Sequence, residues 1–486
     1  MKKLLTPLLA CALLAGCDVL DKDPLPSISP ANFFKTADDA EAALTAAYDG
    51  IQGTGAYAQE LNVVGEMPSD NCTSANGDVA AMENIAWTPT TSQVTNVYRE
   101  AYIAINRANA VLKYVPALDL PGPRKNSILG EARFLRALSY FNLVKLYGAV
   151  PLRLEPTETG DPAVLNLPRT AAEQVYAQVV QDLTEAEALV LPVNPTRATQ
   201  GAVNALLARV QLTQRNWAAA QAAANAVITG GGNYGLVNNF KSLFPADNRQ
   251  PESVFEVQYS GSSDGGTSNI LPDLLLPSPP ATFSFPKFNI PTAELIEYAD
   301  TVNDLRWRFQ GTTLAGRDHA SYVDGRRGNG NDRGPFVYKW SSNPNSFNSP
   351  DNYYVLRYAD VLLMYAEAAN EQAGPTADAL AKLNLVRQRA GLPALTTASA
   401  PAATKQTLRN EIDRQRRLEL AFEGERWFDL LRYARHNQAE AGAHAVTALD
   451  IIAQKRQGVR DANYLLFPIP LGELNTNTQI QQNPGY

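Results

Sequence analysis

Cysteine is nearly missing from this sequence of 486 residues, which holds three. Cys11 and Cys17 belong to an N-terminal leader, so Cys72 stands alone in the body of the chain and an intrachain disulfide framework is excluded. Histidine is as scarce. His319, His436 and His444 are the whole set, and none sits in a metal-ligand or nucleophile–base spacing. Past the extreme N-terminus no apolar run is long enough to cross a bilayer. No basic run stands out either. Lys and Arg number 42 against 49 Asp and Glu, and a net charge of −7 argues against nucleic acid as a partner. The glycines of GRRGNGNDRG, residues 325–334, match neither a Walker nor a dinucleotide fingerprint and read as a flexible loop. What the chain does have is a 45% hydrophobic content, ample for a large core, and 31 glycines with 32 prolines, which call for long loops among helices.

The first residues set the compartment. Lys2 and Lys3 form a basic n-region and Leu4–Leu14 an apolar stretch too short to span a membrane, the pattern of a secretory signal peptide over residues 1–16. It closes on Leu14-Ala15-Gly16-Cys17, which looks like a bacterial lipobox, with small residues before a thiol that takes acyl chains. Several acyl chains on Cys17 make a stable anchor, each buried methylene adding about 0.8 kcal/mol. Residues 17–30, polar and acidic at the start, read as a lipidated tether.

Residues 31–486 read as one domain, with a helical scaffold over about 31–230 and 353–486 and a loop-rich lobe over about 231–352. Helical periodicity and caps predict helices over Ala37–Tyr48, Val94–Val115, Glu131–Tyr147, Thr170–Leu191, Gly201–Gln214, Trp217–Thr229, Tyr354–Gln372 and Thr376–Ala390. The pairs 201–229 and 354–390 resemble tetratricopeptide-type hairpins, without a clean tandem period. Asn410–Tyr433 (NEIDRQRRLELAFEGERWFDLLRY) reads as one helix, with Leu420, Trp427 and Leu431 on a stripe and charges of both signs beside it. Glu423, Glu425 and Asp429 could pass for paired catalytic carboxylates, but nearby arginines are expected to keep them ionised and structural. In the lobe Val254–Tyr259 reads as a strand, and Phe283, Phe285, Trp307, Tyr322, Tyr338, Trp340 and Phe347 are scattered among loops. Residues 50–95 are loop-like and hold Tyr57, Asp70, Asn71 and Trp87, polar groups beside aromatics of the kind a rigid scaffold presents for binding. The C-terminus, from Tyr464, reads as an extended strap on the helices.

A series of stretches then carries a resemblance. NFFKTADDAEAALTAAYDG, Tyr98 with Asn106 and Asn109, EARFLRALSYFNLVKLYGAVPL and ALLARVQL with Trp217 come in the first half. LRYADVLLMYAEAANE, LNLVRQRAGL, QRRLELAFEGERWFDLLRY, LLFPIP and QNPGY complete it, in order. With the lipobox, they resemble the SusD/RagB family of outer-membrane nutrient-binding lipoproteins. The resemblance implies an all-α scaffold of tetratricopeptide-like hairpins with a large loop-rich insertion containing little β. It implies a non-enzymatic protein, lipid-anchored at Cys17 on the bacterial outer membrane and facing the exterior. Such a protein passes oligosaccharides, or peptides in RagB-like members, to a SusC-like TonB-dependent transporter. Asp70 and Asn71 sit where members place polar ligand contacts, and Trp87 near the position of a sugar-stacking aromatic. Tyr322 and Trp340 are further ligand candidates, whereas Trp307 reads as structural. No cofactor or metal ligand set is implied, a structural calcium staying open. A surface glycoside hydrolase would need two carboxyl groups on one cleft, and no pair stands outside the charged helix. A pure interaction scaffold is the third reading, since helical repeats often bind proteins.

Overall fold

The structure is a computed structural model that describes residues 33–194, 196–244, 250–261, 267–309, 320–325, 330–340 and 344–486. The leader, Cys17 and its tether lie outside the described residues, as does part of the glycine-rich loop. Among the described residues no helix is long and apolar enough to cross a membrane.

The scaffold is a stack in which each long helix packs on the next. Helix α1 (Ala37–Asp49) packs on α2 (Ser92–Tyr114), α2 on α3 (Gly122–Tyr147), α3 on α4 (Ala172–Glu187), α4 on α5 (Gln200–Thr213) and α5 on α6 (Trp217–Thr229). Threonines start several of them. Thr36 and Asp39 form a capping box at α1, and Thr199 accepts from the Ala202 N–H at α5. Gly148, at φ 71°, ends α3 where no side chain is tolerated easily. Helix α6 then packs not on its sequence neighbour but on α7 (Tyr358–Ala373), which also carries α8 (Ala377–Arg389) and α9 (Lys405–Glu419). Helix α6 buries Ala220, Ala223 and Ala224, small enough for close approach to the helices on either side. Helix α7 is buried on nearly every face, which makes it the centre of the stack. The fold is mostly helical, as expected from the hairpin pattern.

The chain thus leaves the stack after Thr229 and rejoins it at Tyr358. Two strands close the neck of this excursion. β1 (Ser253–Val257) pairs antiparallel with β2 (Tyr353–Arg357), Val257 facing Tyr353 and Ser253 facing Arg357. The first residues of the expected helix 354–372 are therefore strand. YYVLR is aromatic and branched, and a partner strand was available to it.

The charged stretch is also two helices rather than one. Helix α9 stops at Glu419, and α10 (Arg426–Ala439) follows a turn in which Phe422 and Gly424 take φ 69° and 76°. The reason is tertiary. The short helix Glu60–Glu66 lies so close that a Cβ on Gly65 would collide with the Gly424 carbonyl, and one on Gly424 would lie 2.9 Å from the Asn62 Cα. The freed carbonyls at the end of α9 are capped from the lobe: Lys339 Nζ donates to the Glu419 and Ala421 carbonyls at 2.8 and 3.0 Å, and the Trp307 indole to that of Leu418 at 3.3 Å.

Buried charge ties these parts together. Glu419 accepts from Arg306 at 2.9 Å, Arg357 at 3.1 Å and Arg389 at 2.6 Å. Arg357 reaches Glu252 and Glu423 as well, and Arg389 reaches Glu252. A second set joins α9 to α7 and α10, with Arg416 on Asp360 and Asp429, and Arg432 on Glu367 and Asp429. The C-terminal strap closes the other side. The Asn483 amide donates to the carbonyls of Tyr147 and Phe467, and the Trp87 indole donates to the Tyr486 hydroxyl at 2.6 Å.

Three outcomes follow for stability. Glu419→Gln leaves three buried arginines short of a charge, so it lowers stability by ~3–5 kcal/mol in a denaturant titration. Trp87→Ala opens a cavity under the strap and lowers it by ~3–5 kcal/mol, seen in the same titration. Acid acts on the same links. Burial opposes ionisation of Asp70, but Arg426 and Arg417 outweigh it and hold its carboxyl down at about 2. Burial likewise opposes Glu419 and Asp429, and their arginines hold both well below the usual carboxylate range. Each folded value is depressed, so the stabilisation is complete above the ordinary carboxylate range and is lost as protons bind. The melting temperature is expected to fall between about pH 4 and about pH 2, less steeply in Asp70→Asn.

Candidate functional site

The five ligand candidates named from the sequence are turned to partners within the protein, Asn71, Trp87, Tyr322 and Trp340 being buried and Asp70 partly so. Asp70 makes a two-point ion pair with Arg426 at 2.8 and 3.0 Å. Asn71 is fully buried, donating to Glu66 at 2.8 Å and accepting from Arg417 at 2.9 Å. Trp87 is 2% exposed and wedged edge-on against Phe467 and Trp427. Tyr322 lies under the Lys339 ammonium, 3.9 Å from ring centre to nitrogen, with its hydroxyl toward Glu419. Trp340 stacks on Tyr353 at 5.4 Å and points its indole N–H at the Phe422 carbonyl. Trp307 is structural, as read from the sequence. Trp307 and Trp340 cap the end of α9, Trp87 seats the strap, and Asp70, Asn71 and Tyr322 are engaged by charged partners within the protein.

The exposed aromatics lie elsewhere in the lobe. Phe283 is 52% exposed, while Phe285 and Phe347 are half-buried. Phe283 and Phe347 lie nearly parallel, 19° apart with centroids at 6.4 Å, and Phe285 meets Phe347 edge-on at 5.6 Å. Together they make an apolar platform open to solvent. The turn that presents Phe347 is built for it. Ser346 and Phe347 both have positive φ, 54° and 63°, a strained pair of non-glycine residues. Asp273 holds that turn by accepting from the backbone N–H groups of Asn345 and Phe347 at 3.2 and 2.9 Å. The chain just after it is anchored too, since Ser349 pairs backbones with Asn269 in an isolated antiparallel bridge.

Polar groups border and underlie the platform. Thr282, Ser284, Asn345 and Ser346 are exposed beside the rings. Below, the segment 286–287 is tied to the loop after Asn71: Ala75 N–H and Ser74 Oγ donate to the Lys287 carbonyl, and Asn76 donates to that of Pro286. Lys287 is buried 3.5 Å from Asp332, and burial pulls its ammonium below the usual lysine value. Its Nζ, the free oxygen of Asp273 and both amide atoms of Asn289 make no hydrogen bond. Buried groups of this kind are rare and costly, about 1–3 kcal/mol each. Phe283 and Phe285 carry a signal that could have found them. ATFSF has aromatics alternating with small polar residues and no charge, whereas Tyr338-Lys339-Trp340 brings its own cation and packs inward.

The acids of the former single helix are not free for chemistry. Glu423 is held by Arg357 and Lys339, Glu425 by Arg209, and Asp429 by Arg416 and Arg432. Among the described residues, Glu371, His436 and Glu440 bring metal-ligand atoms within 4.8 Å of one another. The Arg409 guanidinium already takes both carboxylates there, doubly at Glu371, so the charge a cation would supply is in place.

Comparison with known proteins accounts for this arrangement. A model described as SusD family matches residues 292–486, and one described as starch-binding associating with outer membrane matches residues 20–212. The chain is 27% identical to SusD-like protein P38 of Formosa agariphila, over 99% of this chain and 97% of the relative. It is 26% identical to the starch-binding protein SusD of Bacteroides thetaiotaomicron, over 87% and 84%. Among solved structures, a laminarin binding SusD-like protein superposes with a TM-score of 0.76 at 27% identity, covering 93% of this chain and all of that one. With the two models spanning both halves of the scaffold, and relatives matched almost end to end, the chain belongs to the SusD family.

Proposed function

We propose that this protein captures an oligosaccharide on the Phe283–Phe285–Phe347 platform and hands it to a TonB-dependent transporter of the outer membrane, without covalent chemistry. The observation that carries the reading is the solvent-facing pair of near-parallel rings, Phe283 and Phe347, bordered by uncharged polar side chains. An aromatic face covers the C–H face of a pyranose, and the polar border meets its hydroxyls. The relatives named for starch and laminarin binding support a glucan as the first ligand to try. Acylation at Cys17 and a SusC-like transporter as partner follow from the Leu14–Cys17 motif and from the family. The pairing of Glu423, Glu425 and Asp429 with basic groups supports binding rather than hydrolysis.

The test is calorimetric titration of residues 18–486 with laminarin and soluble starch, with product release assayed in parallel. Each ring covers enough apolar surface to contribute about 1–3 kcal/mol. Phe283→Ala with Phe347→Ala is therefore expected to weaken binding at least tenfold, with only a modest fall in melting temperature because Phe283 is exposed and Phe347 half-buried. Equal affinity in the double variant overturns the platform, and released sugar overturns the non-enzymatic reading.

A further inference from the structure

A cleft of about 750 Å³ opens on the helical scaffold and shares no residue with the platform. One wall is the outer face of α2, where Tyr98, Tyr102 and Asn106 recur at steps of four. The facing wall is the segment after α3, from Arg153 to Asn166, and the short helix Leu471–Thr476 closes the end with Glu473.

The walls are bound to one another around the opening. Tyr102 donates to the Pro151 carbonyl at 2.7 Å, the Asn109 amide to those of Arg153 and Glu155, and Asn106 accepts from the Thr157 N–H at 2.7 Å. On the third side Asn477 donates to the Leu167 carbonyl at 2.9 Å. The cleft is thus a preformed space rather than a loose seam.

Three of its remaining polar groups are unspent. Tyr98 is 5% exposed, and its hydroxyl makes no hydrogen bond although it lines the cleft. A buried hydroxyl left so costs about 1–3 kcal/mol, which a ligand would recover. Among the described residues the Asn166 amide and the Glu473 carboxylate also make no intrachain bond. Glu473 and Tyr98 line the same cleft.

This set has a definite chemistry. A carboxylate accepts, an amide both donates and accepts, and a phenol donates, which suits the adjacent hydroxyls of a sugar. The half-buried Tyr102 ring supplies an apolar face beside them. Arg99, Arg107 and Arg153 share the walls with Glu155 and Glu473, so no strongly ionic ligand is selected. The volume exceeds what one sugar ring fills and lies within the range of ligand pockets, about 300–1,000 Å³.

We propose that this cleft is a second oligosaccharide site, with Tyr98, Asn166 and Glu473 as its hydrogen-bonding groups. Its assignment rests on its own donors and acceptors, so it stands or falls apart from the platform.

The experiment uses the mature chain with Cys17 replaced, titrated with laminarihexaose, maltohexaose and cellohexaose. Three forms are compared: the parent, Phe283→Ala with Phe347→Ala, and that platform variant carrying Tyr98→Phe and Asn166→Ala in addition. Tyr98→Phe removes only the hydroxyl, and Asn166 lies at the surface, so the melting temperature reports that folding is kept. The platform variant is expected to retain one class of binding for at least one hexasaccharide, weakened about tenfold or more by the two cleft substitutions. That result supports the cleft even if the platform variant binds as tightly as the parent, which would sink the platform alone. No binding in the platform variant, or binding that the cleft substitutions leave unchanged, overturns the proposal. Capture of an extended peptide by the cleft with no sugar bound overturns it as well.

Discussion

The Glu419 carboxylate accepts from Arg306, Arg357 and Arg389, which come from the lobe, from β2 and from α8. Around it Lys339 and Arg357 share Glu423, and Arg357 and Arg389 share Glu252. Such buried networks contribute little net stability over an apolar core of the same volume, because desolvation consumes the Coulomb gain. Their effect here is on geometry. Each arginine bridges at least two carboxylates at once, and those arrangements agree only when the lobe, the neck strands and the end of α9 are in place together. Removing one member is expensive because the others stay buried without it.

The same cluster explains why the lobe can be so poor in regular structure. Between Thr229 and Tyr353 the described strands are short, with pairs at Cys72–Thr73 with Ile290–Pro291 and at Val323–Asp324 with Phe336–Val337. A loop of this length ordinarily lacks a reason to hold one shape. Here Lys339, Trp307 and Trp340 are fixed because they cap the broken end of α9, and Arg306 is fixed by Asp304, Gln415 and Glu419. The lobe is therefore ordered by what it does for the scaffold.

The scaffold was legible in the sequence, and much of the lobe was not. Threonine caps, alanine-rich contact faces and the stops at Gly148 and Gly374 are local signals, and the helices of the stack followed them. The turn after Glu419 carries only one such signal, Gly424, inside a stretch otherwise read as helix. Apart from Gly424, LELAFEGERW is mostly helix formers, and its break is set by the distant Gly65 backbone lying against Gly424. Tyr322 and Trp340 resembled ligand aromatics because burial is not a local property. The loop residues Asp70 and Asn71 looked free for the same reason, since Arg417 and Arg426, which occupy them, lie more than three hundred residues away in the chain. Phe283 had the uncharged ATFSF stretch around it as a local signal, but nothing near Phe347 in sequence said that its ring would join it at the surface.

A platform on such a lobe gains from this division of labour. Binding on a mobile loop must order the loop at the moment of contact, at roughly 0.5–1.5 kcal/mol for each side chain immobilised. The turn that carries Phe347 is already held by Asp273, and the segment below Phe285 by Ser74 and Asn76. The positive φ values at Ser346 and Phe347 show what holding it costs, about 1–3 kcal/mol for each strained residue. Strain of that size persists only where the surroundings over-determine it, and here they do so to keep an apolar ring at the surface. Rings kept in solvent by a fixed backbone lose little freedom when a sugar covers them, so most of the apolar area removed from water counts toward affinity.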